Sequence, residues 1–400
     1  MCFVSFVVKL SGAPRPKVAG LFWPSLQRPF RVSEELDLDY QLKLEPGLER
    51  YVIGLIGAGF IIRDCHLPAY AQAGFRVAGI CSRRPERAAD VARLRRVPRV
   101  YRDHQELLAD REISVIDIGV PPQVQPAIIR EVARHADHVR GILAQKPLAM
   151  SCREGLELVE LCEQVGIALA VNQNMRHDQS VRACKDLLNR GWLGEPVLGT
   201  IEMRAIPHWM PWSRDLHSLS TFVMSIHHLD CFRYWFGDPA RVMASTRPDP
   251  RTAFPHTDGI NLYILEFASG CRATSWDDVW TGPVREGSQG DISIRWRIEG
   301  TDGLARGTIG WPSYPDHMPS TLDFTTKDRG ERWIQPRWSE AWFPEAFRGT
   351  MGDLLLALAH DRTPAISGRD NLKTLALVEA VYRSAREHRV IELPASGEVC

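Results

Sequence analysis

At 400 residues the chain is longer than one hydrophobic core usually serves, so two domains are expected. Lys plus Arg and Asp plus Glu balance at 49 each, which leaves no overall field to draw the chain to nucleic acid or an anionic membrane and favours a small neutral or singly charged partner. The nine cysteines are scattered, odd in number and never spaced as CxxC, and no apolar stretch reaches the ~20 residues of a membrane span, so buried thiols in a cytoplasmic protein are expected, without a disulfide framework or zinc knuckle.

Residues 1–50 carry Pro14, Pro16, Pro24, Pro29, Pro46 and an acidic run, with no sustained period, and read as an arm, a disordered leader or the product of an upstream start. Regular patterning begins at Tyr51. Apolar runs at 51–56, 75–80, 113–118, 139–143 and 167–171 predict strands, and amphipathic stretches at 68–73, 85–94, 123–135 and 153–165 predict helices between them. Pro85 suits a first helical turn, and Ser151-Cys152-Arg153-Glu154 spells a capping box. Such alternation implies parallel strands with crossover helices, a doubly wound α/β domain of the Rossmann type over 51–173.

From Asn174 onward the rhythm changes. Helices are expected at 180–189 and 221–236, then strands at 241–245, 260–267, 271–277, 292–298 and 304–309, following one at 197–204. Gly-containing turns separate several of these, which predicts an α+β domain over 174–400 with a large, mostly antiparallel open sheet, closed by helices at 347–360 and 371–388 and a short strand at 390–393.

Tyr51 to Ile56 runs directly into Gly57-Ala58-Gly59-Phe60-Ile61-Ile62. Gly57 allows a tight turn, and Gly59 lets the backbone approach a pyrophosphate at the following helix N-terminus. The usual third glycine is replaced by Ile62. A strand before this motif, a helix after it and further strand and helix units beyond make it a dinucleotide site. The second strand ends in Cys81-Ser82-Arg83-Arg84, where an acidic residue would take the ribose hydroxyls of NAD. A hydroxyl and two cations suit a 2′-phosphate, so NADP is expected, with NAD possible.

With these features the sequence resembles the family of glucose-fructose oxidoreductase and inositol dehydrogenase, Gfo/Idh/MocA, from Tyr51 to Leu393. The resemblance is carried by Gly57-Ala58-Gly59 with His66-Leu67-Pro68-Ala69, Ser82 to Ala88, Val120-Pro121-Pro122, Gln145-Lys146-Pro147-Leu148, Ile226-His227-His228-Leu229-Asp230 and Asn371 to Ala380. It implies a catalytic cleft between the two domains, with Lys146 near nicotinamide and substrate, and Gly57, Ala58, Gly59, Phe60, Ile61, Ser82, Arg83, Arg84, Val120, Pro121, Gln145 and Lys146 lining the cofactor. Two positions depart from the pattern. Gln145 stands where a glutamate is usual, and Val223 stands where sugar-oxidising members commonly carry the aspartate of an Asp-x-x-x-His pair ending at His227.

Removing hydride from a carbinol needs a base for the hydroxyl proton with a pKa near neutrality. Lys146, depressed by burial, and His227 are the catalytic candidates. The alternative for His227 is a local pair with Asp230 on the same helix; for Lys146 it is an ordinary strand-end lysine. His227, His228 and Asp230 resemble metal ligands only loosely, and no metal is expected. Eleven of the twelve tryptophans follow residue 190, and flat apolar faces suit sugar rings. The substrate-side candidates are Arg176, Arg204, His208, Trp209 and His228, with Trp212 beside them. An arginine would serve a substrate carboxylate unless spent in a salt bridge at the domain junction.

The leading expectation is an NAD(P)-dependent oxidoreductase for a secondary hydroxyl of a sugar, sugar acid or cyclitol. The competitors are an isomerase or lyase that recycles its own cofactor, and a dinucleotide-binding regulator without chemistry. The broad second sheet suggests a homodimer or homotetramer.

Overall fold

Short apolar runs joined by amphipathic helices bury both faces of a sheet only if the strands run parallel. In the computed structural model, which describes residues 36–206, 212–213, 216–282, 290–312, 316–330, 332–394 and 400, the first half of the chain does this. β1 (Ile53–Ile56), β2 (Val77–Cys81), β3 (Arg99–Val100), β4 (Val115–Ile118), β5 (Gly141–Ala144) and β6 (Ala168–Val171) lie in the order β3-β2-β1-β4-β5-β6 with every pair parallel. All four residues of β1, β4 and β5 are buried. The crossovers are α1 (Leu67–Ala73), α2 (Pro85–Arg95), α3 (His104–Ala109), α4 (Gln125–Val132) and α5 (Cys152–Gln164). Pro85 opens α2, and the Ser151 hydroxyl caps α5 by accepting the Glu154 N–H at 3.2 Å. The sequence reading lacks β3 and α3; α3 is capped by Asp103, which accepts the Glu106 N–H at 2.8 Å.

The second half forms an eight-stranded sheet from β7 (Pro196–Arg204), β8 (Arg241–Arg247), β9 (Ile260–Glu266), β10 (Arg272–Asp278), β11 (Ser293–Gly300), β12 (Gly303–Thr308), β13 (Thr321–Thr326) and β14 (Ile391–Glu392). Its order is β13-β12-β11-β7-β10-β9-β8-β14, antiparallel except where β7 meets β10. One face packs on α6 (Gln179–Asn189), α7 (Ile226–Phe236) and α9 (Gly368–Glu387). The other is open, and along β8 and β9 the period-two alternation leaves Met243, Leu262 and Ile264 40–48% exposed on it.

From Leu38 to Cys400 the chain is one unit. Its two sheets are bound together by α8 (Ala346–Ala359) and α9, which return to the first sheet: Phe347, Met351, Leu354 and Leu355 join the core on one face and Leu372 the core on the other. Residues 38–50, read in the sequence with the leader, also pack here, with Leu42 and Leu44 against α8 at Gly352 and Tyr40 stacked on Trp338 at 5.5 Å.

One expectation is corrected. Cys152 and Cys400 form a disulfide, a pairing across 248 residues that spacing alone does not reveal; Cys65, Cys81, Cys162, Cys184, Cys231 and Cys271 are buried thiols. Among the described residues no helix is long and apolar enough to cross a membrane.

Candidate active site

Because the strands of the first sheet are parallel, the loops after β1, β2, β4 and β5 leave it at one end, with Ile56 beside both Cys81 and Ile118 and Leu143 beside Asp117. That gathers Gly57, Ala58, Gly59, Phe60, Ile61, Ser82, Arg83, Arg84, Val120, Pro121, Gln145 and Lys146 around the point where strand order reverses, the usual ligand crevice of such sheets. Gly57 has φ +120°, and a Cβ on it would stand 2.2 Å from the Gly119 carbonyl oxygen, so the turn admits glycine alone. Gly59 is the opposite case: a Cβ there would meet nothing within 4 Å, so its backbone borders open space at the start of a helical segment, as diphosphate binding requires.

The absent third glycine is compensated from across the interface. The Ile62 side chain occupies the space over Gly119, where a Cβ would lie 2.4 Å from it, so close helix-to-strand packing survives with the glycine on the strand side. After β2, the Ser82 hydroxyl accepts the Arg84 N–H at 3.3 Å. The Arg83 and Arg84 side chains are exposed, and neither guanidinium is ion-paired among the described residues.

Lys146 follows β5 on a loop held by Gln125. The Gln125 side chain accepts the Gln145 N–H at 2.6 Å and donates to the carbonyls of Gln145, Pro147 and Leu148 at 2.8–3.2 Å; the Lys146–Pro147 peptide is cis. Behind the loop, Gln145 and Asn172 donate side-chain amides to Nε2 of buried His66 at 3.2 and 3.0 Å. The His66 proton therefore sits on Nδ1, facing Asp117 at 2.6 Å, and Tyr70 donates to the same carboxylate oxygen at 2.8 Å.

The Lys146 side chain runs to the second half of the chain and donates to the backbone carbonyl of Val223. Val223 lies in a π-helical turn, Thr221–Ser225, that leads into α7. Asp258 fixes this turn by accepting the N–H groups of Leu219 and Thr221 at 2.7 and 2.9 Å and the Tyr382 hydroxyl at 2.7 Å. Burial pushes the Lys146 amine down to about 7. His227 is buried on α7, edge-on to the Trp342 ring at 5.7 Å, and its Nδ1 has no hydrogen-bond partner among the described residues. Burial first, then the charges of Lys146 and His228, hold His227 well below the usual histidine range.

An aromatic wall runs from His227 toward the glycine turn. Trp342 donates its indole N–H to Asn174 at 2.8 Å; Phe343 and Trp311 lie 4.5 and 6.0 Å from the Trp342 ring, and Phe343 reaches Phe60 of the turn at 6.1 Å. The wall, the Gln125 clamp and the His66–Asp117 pair are absent from the sequence reading. Trp342 and Phe343 precede α8, far in sequence from every motif, whereas His66 lies within a motif that was noticed.

Both substrate-side arginines are engaged by carboxylates of this chain. Arg176 is buried, its Nε and Nη2 bonded to the two Asp230 oxygens at 2.5 and 2.7 Å and its Nη2 also to Asp370 at 2.8 Å, so its fork is filled by the protein. Burial pushes its pKa down, and the two carboxylates more than offset that. Asp230 thus pairs with Arg176 and not with His227. Arg204 is held by Asp291 at 2.6 Å and lies over the Trp276 ring at 5.1 Å. His228 commits its Nδ1 to buried Asp277 at 3.0 Å, which makes it a support of α7 in place of a substrate contact. His208 and Trp209 lie outside the described residues. Among the described residues no three or more His, Cys, Asp or Glu side chains are grouped to hold a metal ion.

A dinucleotide crevice joined to an open sheet, with a half-buried lysine and a buried histidine where they meet, is the anatomy of a Rossmann-type oxidoreductase. The chain matches the family described as "Oxidoreductase family, NAD-binding Rossmann fold" over residues 51–173 and its "C-terminal alpha/beta domain" over 185–393. It belongs to the Gfo/Idh/MocA oxidoreductase family. Among its relatives, a D-apiose dehydrogenase of Paraburkholderia graminis is 28% identical over 86% of this chain and 90% of its own. D-xylose 1-dehydrogenase (NADP(+)) 2 of Haloferax volcanii is 24% identical over 86% and 99%. The crystal structure of an oxidoreductase from Agrobacterium radiobacter with NAD+, L-tartaric acid and magnesium is similar with a TM-score of 0.73 at 26% identity, covering 86% of this chain and 98% of that one.

Proposed function

We propose that this protein oxidises a secondary hydroxyl of a sugar, sugar acid or cyclitol, with NADP as its preferred acceptor and NAD as the lesser one. The observation that carries the reading is the Lys146 amine, pushed down to about 7 by burial, beside His227 at the end of the sheet that also carries the Gly57–Gly59 crevice. The open space at Gly59 fits a diphosphate, and Ser82, Arg83 and Arg84 fit the ribose end. Bound oxidised nicotinamide supplies the acceptor for the carbinol hydrogen and its electron pair. Lys146 takes the hydroxyl proton at Nζ and becomes an ammonium, while neutral His227 hydrogen-bonds the same or a neighbouring hydroxyl. Trp311 offers a flat face to the C–H side of a ring, and the buried Trp342 behind it helps exclude water from around the amine.

The acting form for oxidation is the neutral amine, which accumulates above a pKa of about 7. The rate of oxidation at low substrate is therefore expected to rise with pH through about 7 and then level, and the reverse reduction, which needs the ammonium, to fall across the same window. Measuring both directions with purified protein against a panel of sugars, sugar acids and cyclitols, by nicotinamide absorbance, tests the reading. Failure to turn over any of them with either dinucleotide contradicts it.

Two guanidiniums beside Ser82, unpaired among the described residues, favour a phosphate dianion over two ribose hydroxyls. Arg83→Ala or Arg84→Ala is expected to weaken NADP binding by roughly ten- to a hundredfold, the loss of a charged hydrogen bond, and to leave NAD binding nearly unchanged. Equal effects on both dinucleotides would remove the arginines from cofactor choice. The open face of the second sheet, with Met243, Leu262 and Ile264 on it, is the surface we assign to self-association into a dimer or tetramer. Six buried thiols are consistent with a cytoplasmic setting.

A further inference from the structure

Among the described residues, neither Lys146 nor His227 has a carboxylate bonded to it. The Lys146 amine bonds to the Val223 carbonyl, and burial is the sole cause of its lowered pKa. The charges felt by His227 are those of Lys146 and His228, and its Nδ1 is unpartnered among the described residues. Val223, standing where the resemblance would place an aspartate, has an apolar side chain that can compensate neither group. What it offers in exchange is backbone: the π-wound turn Thr221–Ser225 presents a carbonyl to the amine.

We infer that the Val223 carbonyl is the positioning group for Lys146, and that its substitution of a dipole for a carboxylate makes Lys146, not His227, the proton acceptor. The inference rests on the reading of Lys146 as a base and adds how this chain sets it. A carboxylate at hydrogen-bond range would hold the lysine as an ammonium and support an imidazolium on His227. A carbonyl orients the amine while leaving most of the burial penalty on the charged form. His227, depressed further and without an acceptor on Nδ1, is the weaker base of the two. As oxidation proceeds, the substrate O–H bond breaks toward Nζ, the amine becomes an ammonium against the Val223 oxygen, and the carbinol hydrogen leaves with its electron pair for the bound acceptor as the C=O forms.

Among the described residues, the titratable groups around the amine are few. His227 faces it from α7, with His228 and Asp277 behind, and the His66–Asp117 pair with Tyr70 lies behind Gln145. Asp258 is the structural key, because it fixes the N–H groups that open the π-turn.

The test needs neither substrate nor cofactor. The full-length protein, carrying ¹³Cε-labelled lysine, is titrated by NMR, with the Lys146 resonance assigned by its loss in Lys146→Met. We expect it to titrate near neutrality while the exposed lysines titrate at their ordinary values. Val223→Asp should raise its midpoint by roughly one to three pH units, the effect of an adjacent opposite charge, and Val223→Asn should not. Asp258→Asn, which loosens the turn without placing charge near the amine, should move the midpoint toward the ordinary lysine value. Lys146 titrating with the exposed lysines, or a midpoint that none of these variants moves, overturns the inference. Either result would leave the oxidoreductase reading to be judged on turnover alone.

Discussion

Replacing Lys146 with Met is expected to lower turnover by roughly 10²- to 10⁴-fold, the contribution of a positioned general base, while dinucleotide affinity stays within about twofold of wild type. The two effects separate because the loop is held through its backbone by Gln125, which Met does not disturb. Stability should move the other way. In the folded protein the amine is depressed from 10.5 to about 7, so between those values the unfolded chain binds more protons and wild-type stability rises with pH. Lys146→Met removes that burden and should melt higher at pH 7, with a flatter dependence between pH 7 and 10, a trade of stability for activity. Thermal melts across this range alongside steady-state kinetics check both halves. Unimpaired turnover would remove Lys146 from the chemistry.

Arg176→Leu should cost about 3–5 kcal/mol of folding stability, the range for breaking one partner out of a buried ion pair. Asp230 is left almost fully buried with, among the described residues, only Thr374 and the more distant Arg233 to compensate it, and Asp370 keeps its bond to Arg233. Because Arg176 follows β6, Asp230 lies on α7 and Asp370 opens α9, the loss loosens the joint that sets His227 against Lys146. Arg176→Leu combined with Asp230→Leu should lose much less than the sum of the single changes, since no buried charge is then stranded. Urea unfolding of the four proteins measures the coupling. Unchanged stability with a raised KM confined to acidic substrates would return Arg176 to the substrate site.

The first sheet was legible because each strand is a continuous apolar run and each crossover helix carries its own start signal, such as Pro85 or Ser151. Two elements escaped. β3 is two residues long and exposed, and α3 is six residues, though Asp103 followed by Glu106 is a capping signal that sequence could have supplied. Gly57 and Gly59 declared themselves through their spacing, and at Gly57 backbone sterics enforce the glycine. The compensation of Ile62 by Gly119 joins positions 57 apart and needs the sheet to be seen.

Side-chain roles at the site were less legible, because they depend on long-range partners. Arg176 looks the same in sequence whether it meets a substrate carboxylate or Asp230. The apparent gap at Val223 reads as a loss until the helix is found wound as a π-turn, since the group that meets Lys146 is a carbonyl, and no residue type encodes which way a carbonyl faces. Trp342, locked by Asn174 across 168 residues, shows why counting tryptophans pointed to the second half of the chain but not to the right ones.

Calorimetric titration of the full chain with NADP and with NAD, without substrate, bears most directly on the crevice at Gly57 and Gly59. Saturable binding of one dinucleotide per chain, tighter for NADP, is the predicted result. A folded protein that takes up neither would contradict the account at its base, since Lys146 and His227 would then have no acceptor to serve.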